Sequence, residues 1–177
     1  MLCGPSLVLS VLFLAAAAPQ EREAPEYEIK AAFLYNFASF VEWPSSAFPD
    51  KESPFTVGVL GQDPFGSGLE EAFKGKTVNG RRIAVRRGSD VKELGACQVL
   101  FVSASEKERA AKILEALKGR PTLTVGDLSG FAALGGCINF YVEGKKVRFE
   151  INPEAAKRAN LTLSSKLLRL ARVVGEK

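Results

Sequence analysis

Hydrophobic and polar positions alternate along this chain with two clear periods, and the most regular stretch is YEIKAAFLYNFASFVEWP, residues 27–44. Ile29, Phe33, Phe37, Phe40 and Val41 recur at helical spacing and predict one apolar stripe, with Glu28, Lys30, Asn36, Ser39 and Glu42 in other directions. Pro44 disfavours the α region at Trp43, so the predicted helix ends there. A stripe with three phenylalanines needs a sheet or several helices to cover it, so this element should cross the core. Tyr35 and Trp43 fall off the stripe and are candidate contacts for a partner or ligand.

After a proline-bounded loop over residues 45–54, short apolar runs alternate with amphipathic ones. Residues 55–60 (FTVGVL) predict a buried strand, and GQDPFGSG turns the chain into a helix ending near Lys74. RRIAVRR over residues 81–87 predicts a strand with Ile83 and Val85 on one face. Asp90 to Leu94 is a short helix and QVLFV, residues 98–102, another buried strand. Ser105 to Leu117 sets Ala110, Ile113, Leu114 and Leu117 on one face, with Ser105 as cap, Glu108 as its box partner and Gly119 as the stop. A strand over residues 122–125 and a short helix over residues 128–134 follow. Ile138, Phe140 and Val142, then Val147, Phe149 and Ile151, alternate about Gly144-Lys145 and predict a hairpin pairing Val142 with Val147, Phe140 with Phe149 and Ile138 with Ile151. Asn152 caps a helix with Pro153 at its first position, Asn160 ends it in the left-handed conformation, and a last helix from Ser164 aligns Leu163, Leu167, Leu170 and Val174. The fold class expected is α/β: a single-domain sandwich with a mostly parallel central sheet, flanking helices and a C-terminal β-hairpin.

The first residues change the compartment. Residues 7–14 are an apolar run followed by four alanines, which predicts a signal peptide over residues 1–17, a flexible lead-in over residues 18–26 and a domain over residues 27–175 in the periplasm. Lys or Arg is absent before the run, and the run is short for a permanent anchor. The net charge of +4 is mild, so acidic partners or lipid head groups are favoured and nucleic acid is not expected. The chain has no histidine, which removes the commonest general base and metal ligand. An enzymatic reading would rest on Asp63, Asp127, Glu150 and scattered serines; the chain is expected not to be an enzyme.

Three constellations remain. Gly61 and Gly66 have phosphate-loop spacing, but Ser67 stands where lysine is required and Asp63 brings negative charge, so no cofactor is expected; Asp63 and Phe65 stay candidates for a small ligand at the carboxyl ends of the strands. Arg81, Arg82, Arg86 and Arg87 bracket a strand that a 2-1-3-4-5 order puts at an edge. There the charges deter edge-to-edge aggregation, or Arg82 and Arg86 offer a basic contact surface. Cys97 and Cys137 form an even pair in an oxidising compartment and so a candidate disulfide, whereas the same order leaves one strand between them, roughly 9.6 Å, beyond disulfide reach.

The stretches AAFLYNFASFVEWP and GGCINFYVEGKKVRFEINPEAAKRANLTLSSKLLRLA, with GQDPFG and CQVLFVS between them, resemble the YfiR-like (DUF4154) family of exported bacterial proteins over nearly all of Tyr27 to Ala171. The resemblance implies a periplasmic α/β regulator that represses a membrane-bound diguanylate cyclase by binding its periplasmic sensory region, lowering cyclic-di-GMP signalling and biofilm formation. It implies an inner-membrane partner (the cyclase or a sensor kinase), an outer-membrane lipoprotein that sequesters the repressor, a homodimer, and a dependence on disulfides for which Cys97 and Cys137 are available here. It supplies no catalytic residues. The alternative reading is a periplasmic small-ligand binding module feeding a sensor protein.

Overall fold

The structure, a computed structural model, describes residues 20–175. The expected signal peptide lies outside the described residues. In chain order the elements are α1 (Gln20–Phe40), β1 (Val41–Glu42), β2 (Phe55–Leu60), α2 (Gly68–Phe73), β3 (Thr77–Val78), β4 (Arg81–Gly88), α3 (Val91–Leu94), β5 (Val99–Val102), α4 (Ala110–Ala116), β6 (Leu123–Gly126), β7 (Ile138–Glu143), β8 (Lys146–Ile151), α5 (Pro153–Arg158), β9 (Thr162–Leu163), α6 (Ser165–Leu170) and β10 (Arg172–Val173).

Among the described residues, eight strands form one sheet in the order β10-β8-β7-β6-β5-β2-β4-β3, and β1 pairs with β9 in a two-stranded antiparallel sheet. The run β4-β2-β5-β6-β7 is parallel throughout and reproduces the expected 2-1-3-4-5 order. Strands β2, β5 and β6 are buried at every position, which is why they read as unbroken apolar runs. One face carries the larger core, Phe55, Val57, Val59, Phe101, Val125, Phe140 and Phe149 under α1, α2, α5 and α6. The other carries Leu60, Leu94, Leu100, Val102, Ile113 and Phe131 under α3 and α4.

The hairpin has the expected register, Val142 opposite Val147, Phe140 opposite Phe149 and Ile138 opposite Ile151. Its turn residues Gly144 and Lys145 have φ of 55° and 66°, the left-handed pair that a two-residue turn needs to match strand twist. Asn152 accepts from the Ala155 N–H at 3.0 Å ahead of Pro153, and Asn160 has φ 55°, so both ends of α5 are those expected.

Elsewhere the structure departs from the sequence reading. Helix α1 begins at Gln20, within the stretch expected as a lead-in, with Pro25 inside it, and gives way to β1 three residues before Trp43. Its buried stripe is rotated: Lys30, Ala31, Leu34, Phe37, Ala38 and Val41 are buried, whereas Ile29 is 47 % exposed. The helix near Ser105 starts as a 3-10 turn capped by Ser103, whose Oγ faces the Ser105 N–H, and the hydroxyl of Ser105 turns to the Gln62 N–H instead. Residues 128–135 form turns rather than a helix. Helix α6 ends at Leu170, and the chain adds β10 parallel to β8, leaving Leu170 68 % exposed.

Of the two readings of the thiols, the structure has the unbonded one: Cys97 and Cys137 are free and buried. They lie just ahead of β5 and β7, with β6 between, and they pack in different cores, Cys97 with Leu94 and Leu100 and Cys137 with the larger cluster.

Candidate functional site

The carboxyl ends of β2, β5 and β6 meet the first half of α1, and there the chain assembles its most buried charges. Asp127 follows directly on β6, and Tyr27 and Lys30 share a face of α1. Lys30 Nζ lies 3.1 Å from Asp127 Oδ2 and 2.6 Å from Glu26 Oε1, with the Lys30 and Asp127 side chains only 4 % and 6 % exposed. The Tyr27 hydroxyl donates to the same Asp127 Oδ2 at 2.6 Å, and Lys30 Nζ stands 4.3 Å from the Tyr27 ring centroid. Asp127 Oδ1 is buried with no hydrogen-bond partner. In low dielectric such a pair couples strongly, so this cluster fixes the roll of α1 on the sheet. That roll explains Ile29: with the ammonium drawn inward, the residue before it is turned out.

The apolar side of the cluster is aromatic. Tyr27 meets Phe65 edge-on at 5.3 Å, and Phe65 meets Phe101 of β5 edge-on at 4.8 Å. Phe65 is thus 8 % exposed and part of the core. Asp63 accepts from the Phe65 N–H at 2.8 Å and from Arg87 Nε at 2.6 Å. Arg87 also holds Glu70 and the Gly66 carbonyl, which keeps the Glu70 carboxyl below its ordinary range and raises the guanidinium further. After β2 the backbone lies close under side chains that follow β5: Gly61 has φ +92°, and a Cβ there would lie 2.5 Å from Ser105 Oγ.

The remaining candidates lie apart. Trp43 is half-buried, edge-on to Phe55 at 4.9 Å, and donates Nε1–H to the Gln98 carbonyl at 3.2 Å. Tyr35 lies beneath Lys76, 4.5 Å from ammonium to ring centroid, and its hydroxyl reaches the Thr77 carbonyl at 3.4 Å. Thr77 is paired across the β3–β4 ladder with Arg82, so Tyr35 and Arg82 border the same outer corner of the sheet. Arg86 points to the other face and donates to the Leu94 carbonyl at 3.1 Å. Tyr35 and Arg82 are brought to one corner, Asp63 and Phe65 to one loop, and Trp43 and Arg86 to neither.

The family is settled by sequence: the YfiR/HmsC-like family (DUF4154) matches residues 27–172. The chain belongs to the YfiR/HmsC-like family. That family is regulatory and non-catalytic. Among the described residues no group of His, Cys, Asp or Glu is placed to hold a metal ion, and no helix is long and apolar enough to cross a membrane. Sequence reasoning had Lys30 on the solvent side and named Asp127 only as a lone carboxylate. The available signal was Lys30, Leu34, Phe37 and Val41 at helical spacing, a second stripe that begins with a charge.

Proposed function

We propose that this protein is a non-enzymatic periplasmic regulator that acts by contact, binding the periplasmic sensory region of a membrane-bound diguanylate cyclase and lowering cyclic-di-GMP output. The observation that carries this reading is the family match across residues 27–172. The absence of histidine from the chain fits a protein that works through surfaces rather than proton transfer. A binder of this kind shifts a sensor only as far as it prefers one of the sensor's states. A sensor kinase is the other inner-membrane partner of the same kind, an outer-membrane lipoprotein is the counter-binder that would release the cyclase, and self-association into a dimer belongs to the same scheme.

The experiment is retention of inner-membrane proteins from solubilised membranes on the immobilised mature protein, together with cyclic-di-GMP measured in a deletion strain. Retention of a cyclase and a rise in cyclic-di-GMP on deletion are expected. If no signalling protein is retained and the nucleotide level is unchanged, the reading fails.

A further inference from the structure

Strand β4 is next to last in the sheet, and its outer neighbour β3 is two residues long. β3 pairs only with Arg81 and Arg82, so among the described residues no strand covers the outer side of β4 from Ile83 onward. The direction of the backbone there follows from one hydrogen bond. The Gly61 N–H donates to the Gly88 carbonyl at 3.0 Å, so Gly88 faces β2. Alternation turns Arg86 and Ala84 the same way and leaves the N–H and C=O of Ile83 and Val85 aimed outward.

Beside that open ladder runs a groove of about 700 Å³ lined by Phe73, Lys74, Lys76, Arg82, Ile83 and Val85. Gly75, at φ +70°, lies in the turn between α2 and β3 that forms one wall of it. Ile83 and Val85 belong to the larger core face yet stay half-buried, because nothing packs on them from the groove side. Unpaired strand edges are normally blocked; here Lys74, Lys76 and Arg82 line the groove with one carboxylate, Glu70, which Arg87 already pairs, so the free charge is positive. A second copy is a poor occupant, since two β4 edges would set arginine against arginine. A strand bearing carboxylates meets complementary charge.

We propose that the outer edge of β4 is a docking site for an extended acidic segment of a partner protein, added to the sheet as a further strand. Its backbone would bond to Ile83 and Val85, its small apolar side chains would enter the groove against Phe73, and its carboxylates would meet Lys74, Lys76 and Arg82. The partner's role rests on the contact-regulator reading; the chemistry of the edge does not.

The test uses the mature protein and three capped peptides: alternating valine and glutamate, alternating valine and lysine, and the acidic peptide N-methylated at alternate amides. The acidic peptide should bind about tenfold more tightly than the basic one, lose that advantage at high salt, and fail when N-methylated. Hydrogen exchange should slow at the Ile83 and Val85 amides. Arg82→Glu with Lys76→Glu should weaken binding about tenfold. Val85→Pro should abolish it, with a melting curve as the fold control, since an outward edge N–H is one that proline can replace. Equal affinity for both charges, indifference to N-methylation, or unchanged exchange at β4 overturns the proposal; if Val85→Pro does not fold, the charge-reversed variant and the N-methylated peptide decide. Membrane retention of the cyclase with no peptide binding would sink the groove and leave the contact-regulator reading standing, and the converse result would do the reverse.

Discussion

Lys30 and Asp127 give the sharpest test, because their surroundings predict unequal penalties for removing one or the other. Lys30→Met leaves Asp127 in a 6 % exposed site with only the Tyr27 hydroxyl, its Oδ1 already lacking a partner. Removing one member of a buried pair costs about 3–5 kcal/mol, and nothing here lowers that figure. Asp127→Asn is milder: the amide oxygen keeps the Tyr27 bond, and Lys30 retains Glu26 at 2.6 Å, whose side chain is 31 % exposed and so partly screened. About 2 kcal/mol is expected. The double variant should lose less than the two single losses added, because the second change removes a charge that the first had stranded. At about 2–4 °C per kcal/mol for a domain of this size, Lys30→Met should lower Tm by roughly 10 °C and Asp127→Asn by roughly 6 °C. Urea unfolding of the four proteins, read by circular dichroism, closes the cycle. Additive losses, or a larger penalty for Asp127→Asn, would refute the argument that this pair is coupled and dry.

Trp43→Ala removes the edge contact with Phe55 and the bond to the Gln98 carbonyl, so it should cost about 2–3 kcal/mol, and a melting temperature within a degree of wild type would show that this ring is not structural. Burial pushes the Cys97 thiol up to about 11 and the Cys137 thiol above its ordinary value, so neither should react with a thiol reagent at pH 8 until the chain is unfolded; rapid native labelling, or a disulfide by mass spectrometry, contradicts the placement. Because the folded Cys97 value lies above the unfolded one, the stability it contributes is whole below the ordinary thiol value and declines as pH rises toward 11, which alkaline melting curves of wild type and Cys97→Ala would separate. Lys145 has φ 66°, so Lys145→Gly should stabilise the hairpin by about 1 kcal/mol, and destabilisation in urea melts would argue for a different turn.

The hairpin register and the caps of α5 were legible because each is set within a short span of chain. Alternation with period two leaves one pairing that keeps both faces consistent, and the Asn152-Pro153 pair closes a helix end within four residues. Periodicity failed where a partner far along the chain decided the outcome. Ninety-seven residues separate Lys30 from Asp127, and only folding turns that lysine inward and Ile29 outward. Two-residue strands such as β3 and β10 exist because a neighbouring edge is there to receive them, and no period is visible in so short a run. A strand between Cys97 and Cys137 was expected, but their packing into separate clusters is not encoded in spacing along the chain. The sequence by itself determined the central strands, the family and the hairpin; the tertiary structure decided which charges are buried, which core each thiol joins and which sheet edge is left open, because those depend on pairing between distant segments and on the water that pairing excludes.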